Sequence, residues 1–399
     1  MTAGFARARL LVPKEHRKVQ SSQSTWVFIG LSIRSSWGNG HATTYRALLQ
    51  ALRRRGHRIV FLERDVPWYR DNADMPHPPF CETILYESLD ELHAQYAELI
   101  EHADACIVGS YVPEGANVSD FVTRTCRGVT GFYDIDTPIT LKGLEEQACS
   151  YLRRDNVPEF DVYFSFTGGP TLRKLCKEFG ARRAEPLYCA VDPDLYFPSL
   201  AEIRWSMGYL GTFSDDRQPT LERLLCTTAG LLPEENFIVA GAQYPEELGW
   251  PANVEYRAHI PPQLHREFYC AQRATLNVTR RDMVLAGYSP SVRLFEAAAC
   301  GVPIISDEWR GIETFFVPDE EILVAESTAD VIRHLGGMSD ERRSQIGGRA
   351  RQRVLREHTA FHRALALEST IRSIRSSKNA APVRVRGASS RAYVHEVGE

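Results

Sequence analysis

The sequence predicts an α/β fold of two Rossmann-like, doubly wound domains facing a cleft, and three observations carry that prediction. Short apolar runs of strand length alternate with helical periodicity from Trp26 to Phe179, and again from Met207 to Ser306. Three prolines crowd residues 186–198 (PLYCAVDPDLYFP) and separate the two series. Glycine-bearing loops stand between strand and helix in both, at the edge where such sheets bind ligands.

The elements follow in order. Trp26–Leu31 is an apolar strand, and Ala42–Arg55 places Tyr45, Leu48, Leu49 and Leu52 at helical spacing. Gly56 closes that helix, with Arg53, Arg54 and Arg55 favouring its negative dipole end. Arg58–Glu63 is the second strand, so the unit is a parallel βαβ. A helix over Leu89–His102, strands at Ala105–Gly109, Gly131–Tyr133 and Val162–Ser165, and a helix over Pro170–Phe179 complete the first series. The second has strands at Met207–Leu210, Phe237–Ala240, Ala274–Val278 and Val302–Ser306, with helices at Gln218–Leu225, Pro262–Ala271 and Ser291–Ala299 between them. Three helices end the chain: Thr328–Leu335, Asp340–His358 and Phe361–Ile374.

These readings divide the 399 residues into a disordered basic leader (1–24), an N-terminal domain (25–198), a C-terminal donor domain (199–358), a crossing helix (359–375) and a disordered tail (376–399). The net charge is −4; the two flanks carry +4 and +2, leaving the body at −10, which excludes a uniformly basic nucleic-acid binder. No apolar run approaches the roughly 18 residues of a membrane span. The nine cysteines are scattered singly without a C-x-x-C pair, which points to free thiols in a reducing cytoplasm and not to disulfides or a zinc site.

Chemistry concentrates at strand–helix junctions. Gly38, Asn39, Gly40 and His41 enter the first helix, where small residues let backbone approach a ligand and where an imidazole can move a proton. A dinucleotide fingerprint would want a small residue at Thr43 and glycines directly off the strand; neither is present, although Glu63 ends the second strand where a ribose-binding acid would sit. Asp134 and Asp136 alternate along YDIDTP and suit either a cleft-facing base or an Asp-Thr-Pro turn. Arg280 follows a strand end of the second series. In the helix from Ser291, Val292, Phe295 and Ala299 form a buried face. Arg293 and Glu296 share the other face near the positive dipole end, suited to a diphosphate and to ribose hydroxyls, or else to a simple surface ion pair.

Glu296–Pro303 (EAAACGVP) resembles the E-A-x-A-C-G-x-P-x-I signature of family-4-like glycosyltransferases with the B-type fold. SSWGNGHATTYRALLQAL, FYDIDTP, SFTGGPTLRKL, VDPDLY, YLGTFSDDRQPTLERLL and YSPSVRLFEAAACGVPIISDEW are together similar to the spore-maturation CgeB-like group, over roughly residues 25–365. The resemblance implies a cytoplasmic, hexosyltransferase-like enzyme that moves sugar from a nucleotide-diphosphate donor to a hydroxylated acceptor: a saccharide, lipid-linked glycan or protein. It implies no metal and no cofactor beyond that co-substrate. Glu296 then grips the donor ribose, Arg293 and Arg217 meet phosphate, and Gly211 and Thr212 approach the diphosphate. Tyr288 stands in the donor region where retaining enzymes carry a glutamate eight residues before Glu296, which leaves stereochemistry open. A non-catalytic coat or surface-layer protein and a sugar-nucleotide epimerase are the alternatives. Two expectations are structural: the helix from Ser291 aims its N-terminus into the cleft with Glu296 exposed there, and the last helix returns to the N-terminal domain on a stripe of Phe361, Leu365, Ala366 and Ile371.

Overall fold

A computed structural model describes residues 24–380. The expected leader, apart from Ser24, and residues 381–399 lie outside the described residues. The first domain runs β1 (Thr25–Gly30), α1 (His41–Arg54), β2 (Arg58–Arg64), α2 (Pro67–Asp71), β3 (Glu82–Tyr86), α3 (Leu89–Glu101) and β4 (Ala105–Gly109). It continues with α4 (Gly115–Thr125), β5 (Val129–Asp134), α5 (Thr137–Glu145), β6 (Val162–Ser165), α6 (Pro170–Glu178) and β7 (Ala184–Pro186). Its seven strands are all parallel, in the order β3-β2-β1-β4-β5-β6-β7.

The second domain begins with β8 (Trp205–Leu210) and α7 (Gln218–Leu221), then a π-helical turn at Glu222–Cys226 that leads into α8 (Thr227–Leu231). β9 (Phe237–Ala240), β10 (Val254–Arg257), α9 (Pro262–Cys270), β11 (Gln272–Asn277), α10 (Arg281–Ala286) and α11 (Val292–Ala299) follow. β12 (Ile304–Ser306), β13 (Leu323–Val324), α12 (Thr328–Gly336) and α13 (Asp340–Glu357) complete it. Its parallel order is β10-β9-β8-β11-β12-β13. The strand order reverses between β1 and β4 in one sheet and between β8 and β11 in the other, and ligands bind at such switch points.

Burial explains the strands. β1, β4, β5, β6 and β9 are buried along nearly their whole length, because helices cover both faces of a parallel sheet. The edges are short: β3 is half exposed, and β7 carries Pro186, tolerated where one side of the ladder ends.

The last helix, α14 (Ala360–Ala380), leaves the second domain and packs on α1 of the first. Its buried residues Ala360, Ala364, Leu367 and Ile371 belong to the same core cluster as Leu48, Leu49 and Leu52 of α1. This corrects the expected stripe, because Phe361, Leu365 and Ala366 face outward and only Ile371 is shared. The packed face combines two small residues, Ala360 and Ala364, with two large ones, Leu367 and Ile371. The helix also passes Arg375 and continues through Ala380, the last described residue, so residues 376–380 are helical and not part of a structureless tail. Val191 of the linker bonds across to this crossing, with Ala360 N donating to Val191 O at 2.9 Å. Among the described residues no helix is long and apolar enough to cross a membrane.

Candidate active site

A cavity of about 270 Å³ opens between the carboxyl edges of the two sheets. One wall is the loop between β1 and α1. Glu63, wholly buried at the end of β2, accepts from Ser32 Oγ at 2.9 Å, Ile33 N at 2.8 Å and Arg34 Nε at 3.1 Å. Its carboxylate is thus spent on shaping the loop and is not available to a ribose. Asp74 receives both terminal nitrogens of Arg46, at 2.8 and 2.9 Å, and Ser36 N at 2.7 Å. Asn39 Nδ2 donates to Ser32 O and Ser35 O at 3.0 Å each. So fixed, the loop presents Gly38, Asn39, Gly40 and Thr43 to the cavity. His41 opens α1 between them; its side chain lies outside the described residues.

The opposite wall is backbone from the loops after β8 and β9, with Gly211, Thr212, Gly241 and Ala242. A Cβ at Gly211 would sit 2.5 Å from Tyr209 Oη and 2.8 Å from Arg293 Nη2, so glycine lets both side chains close on the loop. α11 supplies the charged floor. Arg293 Nε donates to Leu210 O at 2.6 Å and Nη1 to Asn277 Oδ1 at 2.8 Å, with the guanidinium carbon 4.7 Å from the Tyr209 ring centre. Glu296 accepts from Tyr269 Oη at 3.0 Å, and His265 Nδ1 lies 3.8 Å away. Arg217 donates to Thr212 O beside them.

Sequence placed Gly38, Gly40, Gly211, Thr212, Arg217, Arg293 and Glu296 at one site, and all seven line this cavity. Glu296 is not exposed, however: it is 3 % accessible and forms part of the wall. Nor does it pair with Arg293, which reaches back to β8 and β11 instead. The α11 face expected to be free is therefore as buried as the apolar one, because Tyr269 of α9 packs over it.

Three residues are placed elsewhere. Asp136 precedes α5 and accepts from Tyr111 Oη at 2.9 Å, outside the cavity wall. Its neighbour Asp134 is completely buried and bonded by Tyr163 Oη and by Thr140 Oγ1 at 2.8 Å. Burial lifts its carboxyl to about 6 against the lowering effect of those hydroxyls. Arg280 lies 3.8 Å from Asp216 and contributes nothing to the lining. Tyr288, at φ +51°, is an interdomain bolt. Its carbonyl accepts from Gly168 N of the first domain at 2.9 Å, and its own N–H donates to Arg310 O at 2.7 Å. Built Cβ atoms at Gly169 and Gly311 would approach its ring to 2.4 and 2.5 Å, so the ring fills the space between them. Gly311→Ala adds that clash at φ +94°; we expect a loss of about 1–3 kcal/mol, read as a lowered melting temperature. An unchanged melt would show that the bolt is loose.

Sequence reasoning missed two histidines in the wall, His259 and His265. His265 and Tyr269 lie four apart on a helix already legible from Pro262 onward, so their shared face was readable. His259 carried no such signal. It stacks on Trp37 of the first domain, ring centres 4.4 Å apart at 17°, closing the cavity from the side. Burial first, then nearby His265, push its pKa down, while Asp74 acts the other way.

The arrangement defines a two-domain α/β protein with an arginine, a buried glutamate and close-approach glycine loops at an interdomain cavity, which is the glycosyltransferase B-type fold. Residues 217–369 match a family model described as glycosyl transferase-like. The structure is similar to sucrose-phosphate synthase from Thermosynechococcus elongatus (14% identity, 89% of this chain, 100% of that one, TM-score 0.64). It is also similar to HepE of Anabaena in complex with UDP and glucose (13%, 88%, 100%, TM-score 0.65). An alpha-glucosyltransferase in complex with UDP is a third likeness (12%, 88%, 100%, TM-score 0.63). No curated protein matches by sequence.

Proposed function

We propose that this protein transfers a sugar from a nucleotide-diphosphate donor to a hydroxylated acceptor, as the CgeB-like resemblance suggests. One observation carries the reading: Arg293 and Glu296 meet glycine-rich backbone at a single interdomain cavity. In the proposed pose Glu296, oriented by Tyr269 on Oε2, accepts from the ribose hydroxyls. Arg293, Arg217 and the N–H groups around Gly211 neutralise the diphosphate as it leaves, so the reaction runs without a metal. His41 stands between Gly40 and Thr43 of the wall and is the proposed proton acceptor; Asp136, outside the wall, is not. The UDP complexes of HepE and the alpha-glucosyltransferase support a UDP-sugar as the first donor to try.

The test is a melting screen with UDP-, GDP-, ADP- and dTDP-sugars, with and without EDTA. A donor at 100 times its dissociation constant stabilises by about 2.7 kcal/mol. One nucleotide should raise the melting temperature in EDTA, and His41→Ala should keep that rise while losing turnover. No rise with any of the four removes the donor site; interconversion of donor sugars without transfer makes the protein an epimerase.

A further inference from the structure

A second interdomain cavity, of about 660 Å³, shares no lining residue with the first. Its walls are α5 and α6 of the N-terminal domain, and α10 with Arg310 of the C-terminal domain. Five cations and three carboxylates line it. Two of the carboxylates are engaged: Glu145 lies 2.7 Å from Lys174, and Asp282 lies 3.9 Å from Lys142. Arg173, Lys177 and Arg310 have no carboxylate within 4 Å among the described residues, and the third acid, Glu178, is paired with none of them.

That imbalance runs against ordinary surface design. Arg173 and Lys177 are four apart on α6, so they lie on one helix face, where like charges repel. Arg310 adds a third cation from the other domain, held in place because its backbone carbonyl takes Tyr288 N and its guanidinium lies 5.8 Å from the Tyr288 ring centre. The repulsion persists in a body whose net charge is strongly negative, so an excess of acids elsewhere does not relieve it here. Beside these cations the lining is apolar, with Leu141, Ala286 and Leu285, which is 74 % exposed.

We propose that this cavity binds a small organic polyanion, bearing phosphate or several carboxylates, that bridges the two domains beside the Tyr288 bolt. Planar guanidinium groups from opposite walls can each take two oxygens of such a group, and the lysine adds a point charge. The proposal is independent of the donor assignment, because the site shares nothing with Arg293 and Glu296.

The experiment is a calorimetric titration of the full chain with inorganic pyrophosphate at about 0.1 M salt, repeated with saturating UDP, in Arg310→Ala and in the double variant Arg173→Ala/Lys177→Ala. Arg173, Lys177 and Arg310 are exposed, so their substitution leaves the fold intact. Pyrophosphate binding should survive UDP, and weaken at least tenfold in both cation variants. A parallel titration with citrate identifies the ligand chemistry: tighter pyrophosphate means phosphate groups, tighter citrate means carboxylates. Absence of binding by both anions, binding indifferent to the cation variants, or displacement of pyrophosphate by UDP overturns the site. Failure of UDP to bind in the same titrations would count against UDP as the donor alone.

Discussion

Arg293→Met should weaken nucleotide-donor binding at least a hundredfold and lower the melting temperature as well. Both effects come from one side chain. The guanidinium ties Leu210 O, at the end of β8, to Asn277 Oδ1, at the end of β11, across the switch point of the second sheet. Methionine fills the space but takes the side-chain donor from Leu210 O, at about 1–3 kcal/mol, and one of two donors from Asn277 Oδ1, which keeps Ser291 Oγ at 2.7 Å. The same change removes one of the two cations at the Gly211 loop, and truncating one side of a buried charged contact costs about 2–5 kcal/mol of binding. Glu296→Gln separates the two effects. Glutamine keeps an acceptor for Tyr269 Oη and keeps the volume, so the melt should hardly move. Donor affinity should still fall at least tenfold, because the amide is a weaker acceptor than the carboxylate toward ribose hydroxyls. Unchanged donor affinity in Glu296→Gln, measured by the ligand-induced melting shift, would take the ribose role away from it.

The residues at this site were legible where chemistry and local pattern coincide. Glycines between a strand and a helix, and an arginine three residues before a glutamate at a helix start, can be read without tertiary information. What could not be read is which polar groups the fold uses for itself. Glu63 looked available and is consumed by the loop it shapes. Asp134 and Asp136 alternate along the chain, yet the strand ends between them, so one is sealed under Tyr163 and the other meets Tyr111. Tyr288 looked like a donor-binding position with its glutamate replaced, and the fold uses its ring as a spacer, because its left-handed backbone turns that ring between two glycines. Elements were lost for a related reason. β3, β7 and β10 are sheet edges with little buried surface, and α10 has no buried residue, so none shows a clear periodic signal. In α14 the periodicity was present but Phe361 and Leu365 misled, since the helix turns Ala360, Ala364, Leu367 and Ile371 inward instead.

Truncation after His358 should unfold the N-terminal domain, whereas truncation after Arg375 should leave it nearly as stable as the full chain. The short version loses the contacts of Leu367 and Ile371, each worth about 1.5–3 kcal/mol of burial, and bares the α1 face beneath them. It also strands a buried ion cluster. Glu368 accepts from Arg55 Nη2 at 2.7 Å and from His57 Nε2 at 2.9 Å, and Arg55 Nε joins the same carboxylate. Removing one side of such a cluster costs about 3–5 kcal/mol. The sum approaches the whole stability of a domain this size. The longer version loses Lys378, whose exposed contact with Asp161 at 2.6 Å is worth at most about 1 kcal/mol, and keeps Arg375 with its partner Asp104. Acid isolates the cluster's share. Burial alone would raise the Glu368 carboxyl, but the hydrogen bonds from His57 and Arg55 outweigh it and hold the pKa at about 2, below the ordinary 4.5. A depressed carboxylate stabilises fully above its unfolded value and loses that contribution as pH falls through the folded one. The melting difference between the full chain and Glu368→Gln should therefore be constant above about pH 5 and shrink between about 4.5 and 2. A difference that stays flat down to pH 2 would mean that α14 is held by its apolar face alone.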